Sequence, residues 1–177
     1  MKQLLFKLRL MNEQLAVIAG FVLLASVAVT ILDIVLRRFG LSLGGTDEIS
    51  GYAMAISTSW GISYALTNLA HVRIDLLRAQ CASRGRALFD AIAILALSGT
   101  ALVIAYRTWS VLSKTIKYHS TANTPLETPL WIPQSLWFAG WIWFALSAVI
   151  VLVGVVVFVF QGRFDDVDQV AGLRNEA

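Results

Sequence analysis

Long apolar runs separated by short polar links divide this chain into four segments. The runs cover residues 15–36, 49–70, 87–106 and 136–160. Each run holds about 20 residues or more, and a helix of that length, rising about 1.5 Å per residue, crosses a hydrocarbon core of about 30 Å. The pattern therefore predicts an all-α membrane protein with four transmembrane helices, which form a single domain over residues 14–160.

Short flanking segments complete the predicted organisation. Residues 1–13 place apolar side chains at helical spacing between basic ones, which favours an amphipathic N-terminal segment on an anionic membrane face; a frayed basic start is the alternative. Residues 74–82, after the second run, fit a second short interfacial helix. Residues 161–177 are predicted to be a polar cytoplasmic tail.

The second run differs from an ordinary lipid-facing helix because hydroxyl and amide side chains recur inside it. Positions at alternating steps of three and four share one face of a helix. The stripe formed in this way consists of Ser50, Met54, Ser57, Gly61, Tyr64 and Asn68. In a membrane, small and polar side chains pack and hydrogen-bond across helices. The stripe is therefore predicted to face another polypeptide rather than lipid.

Asp33 is the acidic residue inside the first run. A carboxylate at mid-bilayer costs roughly 2.5–3.5 kcal/mol on insertion scales. Arg37 follows four residues later, so a local ion pair, or a contact from Asp33 to a neighbouring helix, would reduce that cost. A role of Asp33 in ion or proton transport is the alternative.

Composition agrees with a membrane protein. Hydrophobic residues make up 58% of the chain and charged residues 14%, against about 45–50% and about 25% in soluble domains. The net charge of +3 does not indicate nucleic-acid binding, since the basic residues cluster at the ends of the apolar runs. A single cysteine, Cys81, permits no internal disulfide and no metal site built on cysteines.

The distribution of Lys and Arg predicts the orientation. One side holds Lys2, Lys7, Arg9, Arg73, Arg78, Arg84, Arg86, Arg163 and Arg174. The other side holds Arg37, Arg38, Arg107, Lys114 and Lys117. Because cytoplasmic segments carry the excess of basic residues, nine against five places both termini in the cytoplasm.

The chain offers little for catalysis. Only two histidines are present, His71 and His119, and both lie outside the apolar runs, so paired haem ligands within the membrane are not expected. No enzyme activity, metal or cofactor is predicted. Two alternatives stay open: a self-contained four-span channel or carrier, with Asp33 and Arg107 as pathway charges, and a membrane anchor subunit of a redox enzyme.

Several motifs resemble those of one family, the small membrane subunit (DctQ type) of tripartite ATP-independent periplasmic (TRAP) transporters. The motifs are Arg37 or Arg38 after the first run, Asp47 and Glu48 at the entry to the second run, Trp60 in its middle, His71-Val72-Arg73-Ile74-Asp75-Leu76-Leu77 at its exit, and Thr128-Pro129-Leu130-Trp131-Ile132-Pro133 before the last run. The entry departs from the family pattern, which usually has a tryptophan before the two acids, where this chain has Gly45-Thr46.

The resemblance implies a function that the residue pattern alone does not give. It implies a non-catalytic scaffold in the bacterial inner membrane that pairs with a large multi-span permease subunit. It also implies a periplasmic binding protein that delivers an organic acid, and uptake driven by an ion gradient, usually sodium. Lipid is the remaining expected partner, and nucleic acid is not one.

Overall fold

The structure, a computed structural model, describes residues 1–70, 78, 80–124 and 126–172 of the 177-residue chain. Five helices form within these ranges. They are α1 (Lys2–Arg38), α2 (Thr46–Thr67), α3 (Ser83–Lys117), α4 (Trp131–Phe160) and α5 (Phe164–Ala171). No strand forms in the described part of the chain, where β pairing is limited to an isolated bridge between Thr121 and Pro129. The prediction of an all-helical protein is confirmed.

Three of these helices, α1, α3 and α4, are long and apolar enough to cross a membrane, with mean hydropathies of 2.7, 2.2 and 3.0 in their most apolar windows. Helix α2 lies where the second span is predicted and has 22 residues, but it is not among the three. Its serines, threonines and glycines lower its hydropathy, although its length suffices. The count of four spans therefore remains a prediction.

The N-terminal segment is not a separate interfacial helix. Helix α1 runs without a break for 37 residues from Lys2 to Arg38, so residues 1–13 supply its first turns. No proline interrupts this stretch, and the buried side chains of Leu8 and Asn12 hold it against the bundle. The predicted second interfacial helix, at residues 74–82, falls largely outside the described residues.

Helices α2 and α4 occupy the middle of the bundle. Helix α1 packs on α2, α2 on α4, and α4 on α3. Buried side chains of α4 dominate the core, among them Phe144, Val151, Val155 and Phe158. Helix α1 is an edge helix, since none of its most apolar 18-residue window is buried, whereas 44% of the corresponding window of α4 is buried. Most of the apolar surface of α1 is therefore available for contact with lipid or with another protein.

Close approach of α2 and α4 requires a glycine. A Cβ atom added at Gly140 would lie 2.8 Å from the Cβ of Ser59 and 2.9 Å from Cδ1 of Trp60. These separations are well inside van der Waals contact, so any side chain at this position would push the two helices apart.

Helix α5 is an element that the sequence did not predict. It lies across the ends of α3 and α4, and its residues Val167 and Ala171 are almost completely buried. Phe164, Val167 and Ala171 recur at steps of three and four, which is the spacing of an apolar helix face. Part of the predicted polar tail is thus a docked amphipathic helix.

Candidate functional site on helix α2 and its contacts

The carboxylate of Asp33 joins the end of α1 to the start of α2. It is 1% exposed. Its Oδ2 accepts hydrogen bonds from Arg37 Nε at 2.8 Å and Thr46 Oγ1 at 2.9 Å, and its Oδ1 accepts from Ser42 Oγ at 3.2 Å and the Leu43 backbone N–H at 2.8 Å. The predicted ion pair with Arg37 is confirmed. These donors account for the burial of Asp33 without a transport role.

A second polar centre, Asn12, links three helices in the interior. Asn12 is 0% exposed. Its Nδ2 donates to the Ser63 carbonyl at 3.2 Å and to Thr67 Oγ1 at 3.3 Å, both on α2, and its Oδ1 accepts from Trp143 Nε1 of α4 at 2.7 Å. Sequence reasoning missed Asn12. The available signal was an uncharged amide at the edge of an apolar run, but nothing in the sequence identified its partners.

The predicted stripe on α2 is divided between inward and outward positions. Ser57 is buried and donates to the Ala19 carbonyl of α1 at 3.1 Å, so this residue is used within the chain. Met54 and Tyr64 are exposed, at 64% and 39%. Gly61 is half-buried, and a Cβ atom added there would meet nothing within 4 Å. The open part of the stripe is therefore centred on Met54, Gly61 and Tyr64.

The two ends of the stripe are partly covered. Ser50 is half-buried and donates to the Asp47 carbonyl, and Asn68 is half-buried and donates to the Tyr64 carbonyl. Both hydrogen bonds lie within α2 and its cap, so neither side chain is engaged by another helix through them.

Much of the remaining polar surface of α2 is taken up by the chain itself. Ser59 and Ser63 are fully buried, and Trp60 Nε1 donates to the Leu136 carbonyl of α4 at 3.0 Å. These three residues lie outside the predicted stripe. Within the stripe, Ser57 is the residue whose hydroxyl bonds another helix of the same chain, and contact of the stripe with a second polypeptide stays a prediction.

The motif residues at the entry to α2 and before α4 meet at one end of the bundle. Glu48 accepts hydrogen bonds from Tyr52 at 2.7 Å and from the hydroxyl of Thr124 in the α3–α4 link. Pro129 lies in the isolated bridge of that link, and Pro133 occupies the first turn of α4, where its missing N–H is harmless. Glu48 thus ties the α3–α4 link to α2.

The other motif residues are not joined to this group by any described contact. Arg38 and Asp47 are exposed at the ends of α1 and α2. His71, Arg73 and Asp75 lie outside the described residues. Among the residues that the structure describes, no group of three or more His, Cys, Asp or Glu side chains is placed to hold a metal ion.

Ion pairs anchor α5 at the opposite end of the bundle. Arg78 donates from Nε and Nη2 to the two oxygens of Asp90, at 3.0 and 2.9 Å, and also contacts Asp168 of α5. The hydrogen bonds that Arg78 donates to Asp90 raise the pKa of Arg78. The guanidinium of Arg78 is therefore charged at any physiological pH.

Asp166 forms the second anchor of α5. Lys2 Nζ lies 2.6 Å from Asp166 Oδ1, and Arg163 forms an ion pair with the other carboxylate oxygen. The hydrogen bond from Lys2, together with the positive charge of Arg163, holds the pKa of the Asp166 carboxyl below its usual value. The start of α1 and the C-terminal helix are thereby connected.

Three long apolar helices, with α1 bonded to α4 through Asn12 and Trp143 and α3 bonded to α4 through Ser98 and the Ala148 carbonyl, define a polytopic helical membrane protein. The family model described as "Tripartite ATP-independent periplasmic transporters, DctQ component" matches residues 26–160, and the chain therefore belongs to this family of TRAP transporter small membrane components. The resemblance drawn from the motifs is confirmed. Neither a curated protein nor a solved structure matches the chain.

Proposed function

We propose that this protein is the non-catalytic small membrane subunit of a TRAP-type secondary transporter and scaffolds the large ion-coupled permease subunit. Its membership of the DctQ family carries this proposal. In the proposed complex a periplasmic binding protein delivers an organic acid, and an ion gradient, sodium in the usual case, drives uptake. The chain lies in the bacterial inner membrane with both termini in the cytoplasm, in accord with the excess of Lys and Arg on that side.

Helix α2 is proposed as the fourth span, because several of its hydroxyls donate to backbone carbonyls of the helix itself; Ser63 Oγ is an exception, since it is buried without a hydrogen-bond partner among the described residues. Thr58 donates to the Met54 carbonyl at 2.8 Å, Ser59 to the Ile56 carbonyl at 2.8 Å, and Thr67 to the Ser63 carbonyl at 3.1 Å. Hydroxyls that bond backbone carbonyls one turn earlier do not need water. This arrangement lowers the cost of placing a serine- and threonine-rich helix in lipid.

The open part of the stripe is proposed as the surface that contacts the large subunit. Met54 and Tyr64 project outward on either side of Gly61, where the backbone is accessible. A flexible thioether and an amphipathic aromatic ring adapt well to a partner surface. A glycine between them allows a partner helix to approach closely.

The experiment compares leucine substitutions at two glycines that both have open space around a Cβ atom. Gly61→Leu fills the proposed interface, while Gly99→Leu makes the same change on an exposed position of α3. Each tagged variant is purified in mild detergent and assayed for co-purification of the large subunit and for substrate uptake. We expect Gly61→Leu to lower both and Gly99→Leu to lower neither.

Two outcomes would contradict this assignment. If Gly61→Leu leaves complex yield and uptake at the wild-type level, the interface lies elsewhere on the chain. If deletion of the whole chain leaves uptake unchanged and the purified chain assembles only with itself, the proposed function is wrong.

A further inference from the structure

A cleft of about 250 Å³ lies where α1 begins, between the first turns of α1, the end of α2, and helices α4 and α5. Its walls include apolar and cationic side chains together with the carboxylate of Asp166. Phe6, Val151 and Val170 are apolar, and Lys2 and Arg9 are cationic. A cleft with both an apolar wall and cationic groups suits an amphiphile with a negatively charged end.

The position of the cleft along α1 places it at the membrane surface. Helix α1 has 37 residues, so at about 1.5 Å per residue it is about 55 Å long, against about 30 Å for a hydrocarbon core. The apolar run of α1 begins at Leu15. Lys2 and Arg9 precede it and therefore lie on the head-group side of the hydrocarbon core, with Arg9 the nearer of the two to the core boundary.

Both cations of the cleft are accessible. The side chains of Lys2 and Arg9 are 58% and 54% exposed. Lys2 pairs with Asp166 across the cleft, and Arg9 pairs with Glu13 on its own helix at 3.3 Å. Asp166 also lines the cleft, so an incoming anion would compete with this carboxylate for Lys2.

We propose that the cleft binds an anionic phospholipid of the surrounding leaflet. The phosphate lies between Lys2 and Arg9, Phe6 packs on the glycerol end of the lipid, and an acyl chain runs along Val151, which lies in the apolar run of α4. Charge complementarity selects this occupant, because Lys2, Arg9 and the nearby Lys7 outnumber Asp166 and Glu13, the two carboxylates that pair with them. A charge-assisted bond to phosphate would replace the contact between Lys2 and Asp166, while Arg163 continues to neutralise that carboxylate.

The test uses the full chain purified in mild detergent, together with any membrane partner that co-purifies. Phosphatidylglycerol or phosphatidylcholine is added in mixed micelles, and bound lipid is counted by native mass spectrometry while the melting temperature is recorded. We expect phosphatidylglycerol to bind and to raise the melting temperature, and phosphatidylcholine to do neither.

Variants separate lipid binding from damage to the fold. Arg9→Gln removes a cation whose hydrogen bond is to Glu13 within α1, so the anchors of α5 stay intact, and apparent affinity for phosphatidylglycerol should fall about fivefold. Arg9→Lys should restore most of it. Asp166→Asn removes the competing carboxylate and should raise the affinity. Lys117→Gln, at the far end of α3, is the matched control and should change nothing.

The proposal is overturned if both lipids bind equally or if Arg9→Gln binds phosphatidylglycerol as well as the wild type. It is also overturned if Lys117→Gln loses as much affinity as Arg9→Gln, because the attraction would then be unspecific. Binding of soluble glycerol 1-phosphate as tightly as phosphatidylglycerol would indicate a site for a free phosphate compound rather than a lipid.

Discussion

Replacing Asn12 with alanine tests whether interior hydrogen bonds hold the bundle together. The substitution removes three bonds between helices, to Ser63, Thr67 and Trp143. Such bonds in membrane proteins average about 0.6 kcal/mol and reach about 1.7 kcal/mol. Three average bonds give a loss of about 2 kcal/mol. The indole N–H of Trp143 would also be left without its acceptor, and this adds to the loss of stability.

The assay is unfolding of the purified chain by increasing mole fractions of a denaturing detergent, followed by circular dichroism and Trp fluorescence. Asn68→Ala is the matched control, because it deletes the same side chain from a bond that stays within α2 and its cap. We expect Asn12→Ala to lower the free energy of unfolding by about 2 kcal/mol and Asn68→Ala to change it by less than about 0.5 kcal/mol.

A double-mutant cycle isolates the bond between Asn12 and Trp143. Trp143→Phe removes the N–H donor while keeping an aromatic ring, and the two substitutions together should show a coupling of about 1 kcal/mol. If Asn12→Ala costs no more than Asn68→Ala, or if the cycle shows no coupling, then Asn12 does not join α1 to α4 and the packing derived from it is refuted.

Three further predictions concern the two ends of the bundle and its centre. Asp33→Ala should lower the free energy of unfolding by about 2 kcal/mol, because the buried Thr46 hydroxyl and three more exposed donors lose a charged acceptor, and should expose the α1–α2 link to protease. Gly140→Leu should lower it by about 3 kcal/mol or more through overpacking between α2 and α4, measured by the same unfolding titration. The anchor at Asp166 should depend on pH: its pKa is lowered in the folded protein, so the stabilisation is present above the unfolded value of about 3.9 and is lost as pH falls through the lower folded value. The protection of α5 amides against hydrogen exchange, measured relative to the intrinsic exchange rate at each pH, should therefore fall below about pH 3.9 compared with pH 7, and Asp166→Asn should reduce that difference.

Helix positions were predictable from the sequence because the apolar runs are long, and because helical spacing depends only on residues that are close together in the chain. The pairing of Asp33 with Arg37 was predictable for the same reason, since four residues make one helical turn. The bond from Trp143 to Asn12 was not, because it joins residues 131 apart in sequence. Periodicity identifies a polar face on a helix, but it does not identify which neighbour covers that face.

The stripe on α2 and helix α5 show this distinction. Periodicity placed Ser57 and Gly61 on one face, and the packing of α1 then divided them, burying Ser57 and leaving space at Gly61. Helix α5 was missed because its first turn holds Asp165 and Asp166, so its composition is that of a solvated tail. Its apolar spacing was visible in the sequence, but eight residues are too few for a helix to be stable without the surface on which it packs.

The bonds between α1 and α2 have a consequence for biogenesis. They occur near the start, the middle and the end of α2, at Thr46, Ser57 and Thr67. A helix as polar as α2 partitions poorly from the translocon into lipid by itself, whereas a helical hairpin presents those hydroxyls already paired. With α2 as the proposed fourth span, we expect α1 to stay beside the translocon until α2 emerges, so that the two enter the bilayer as one unit.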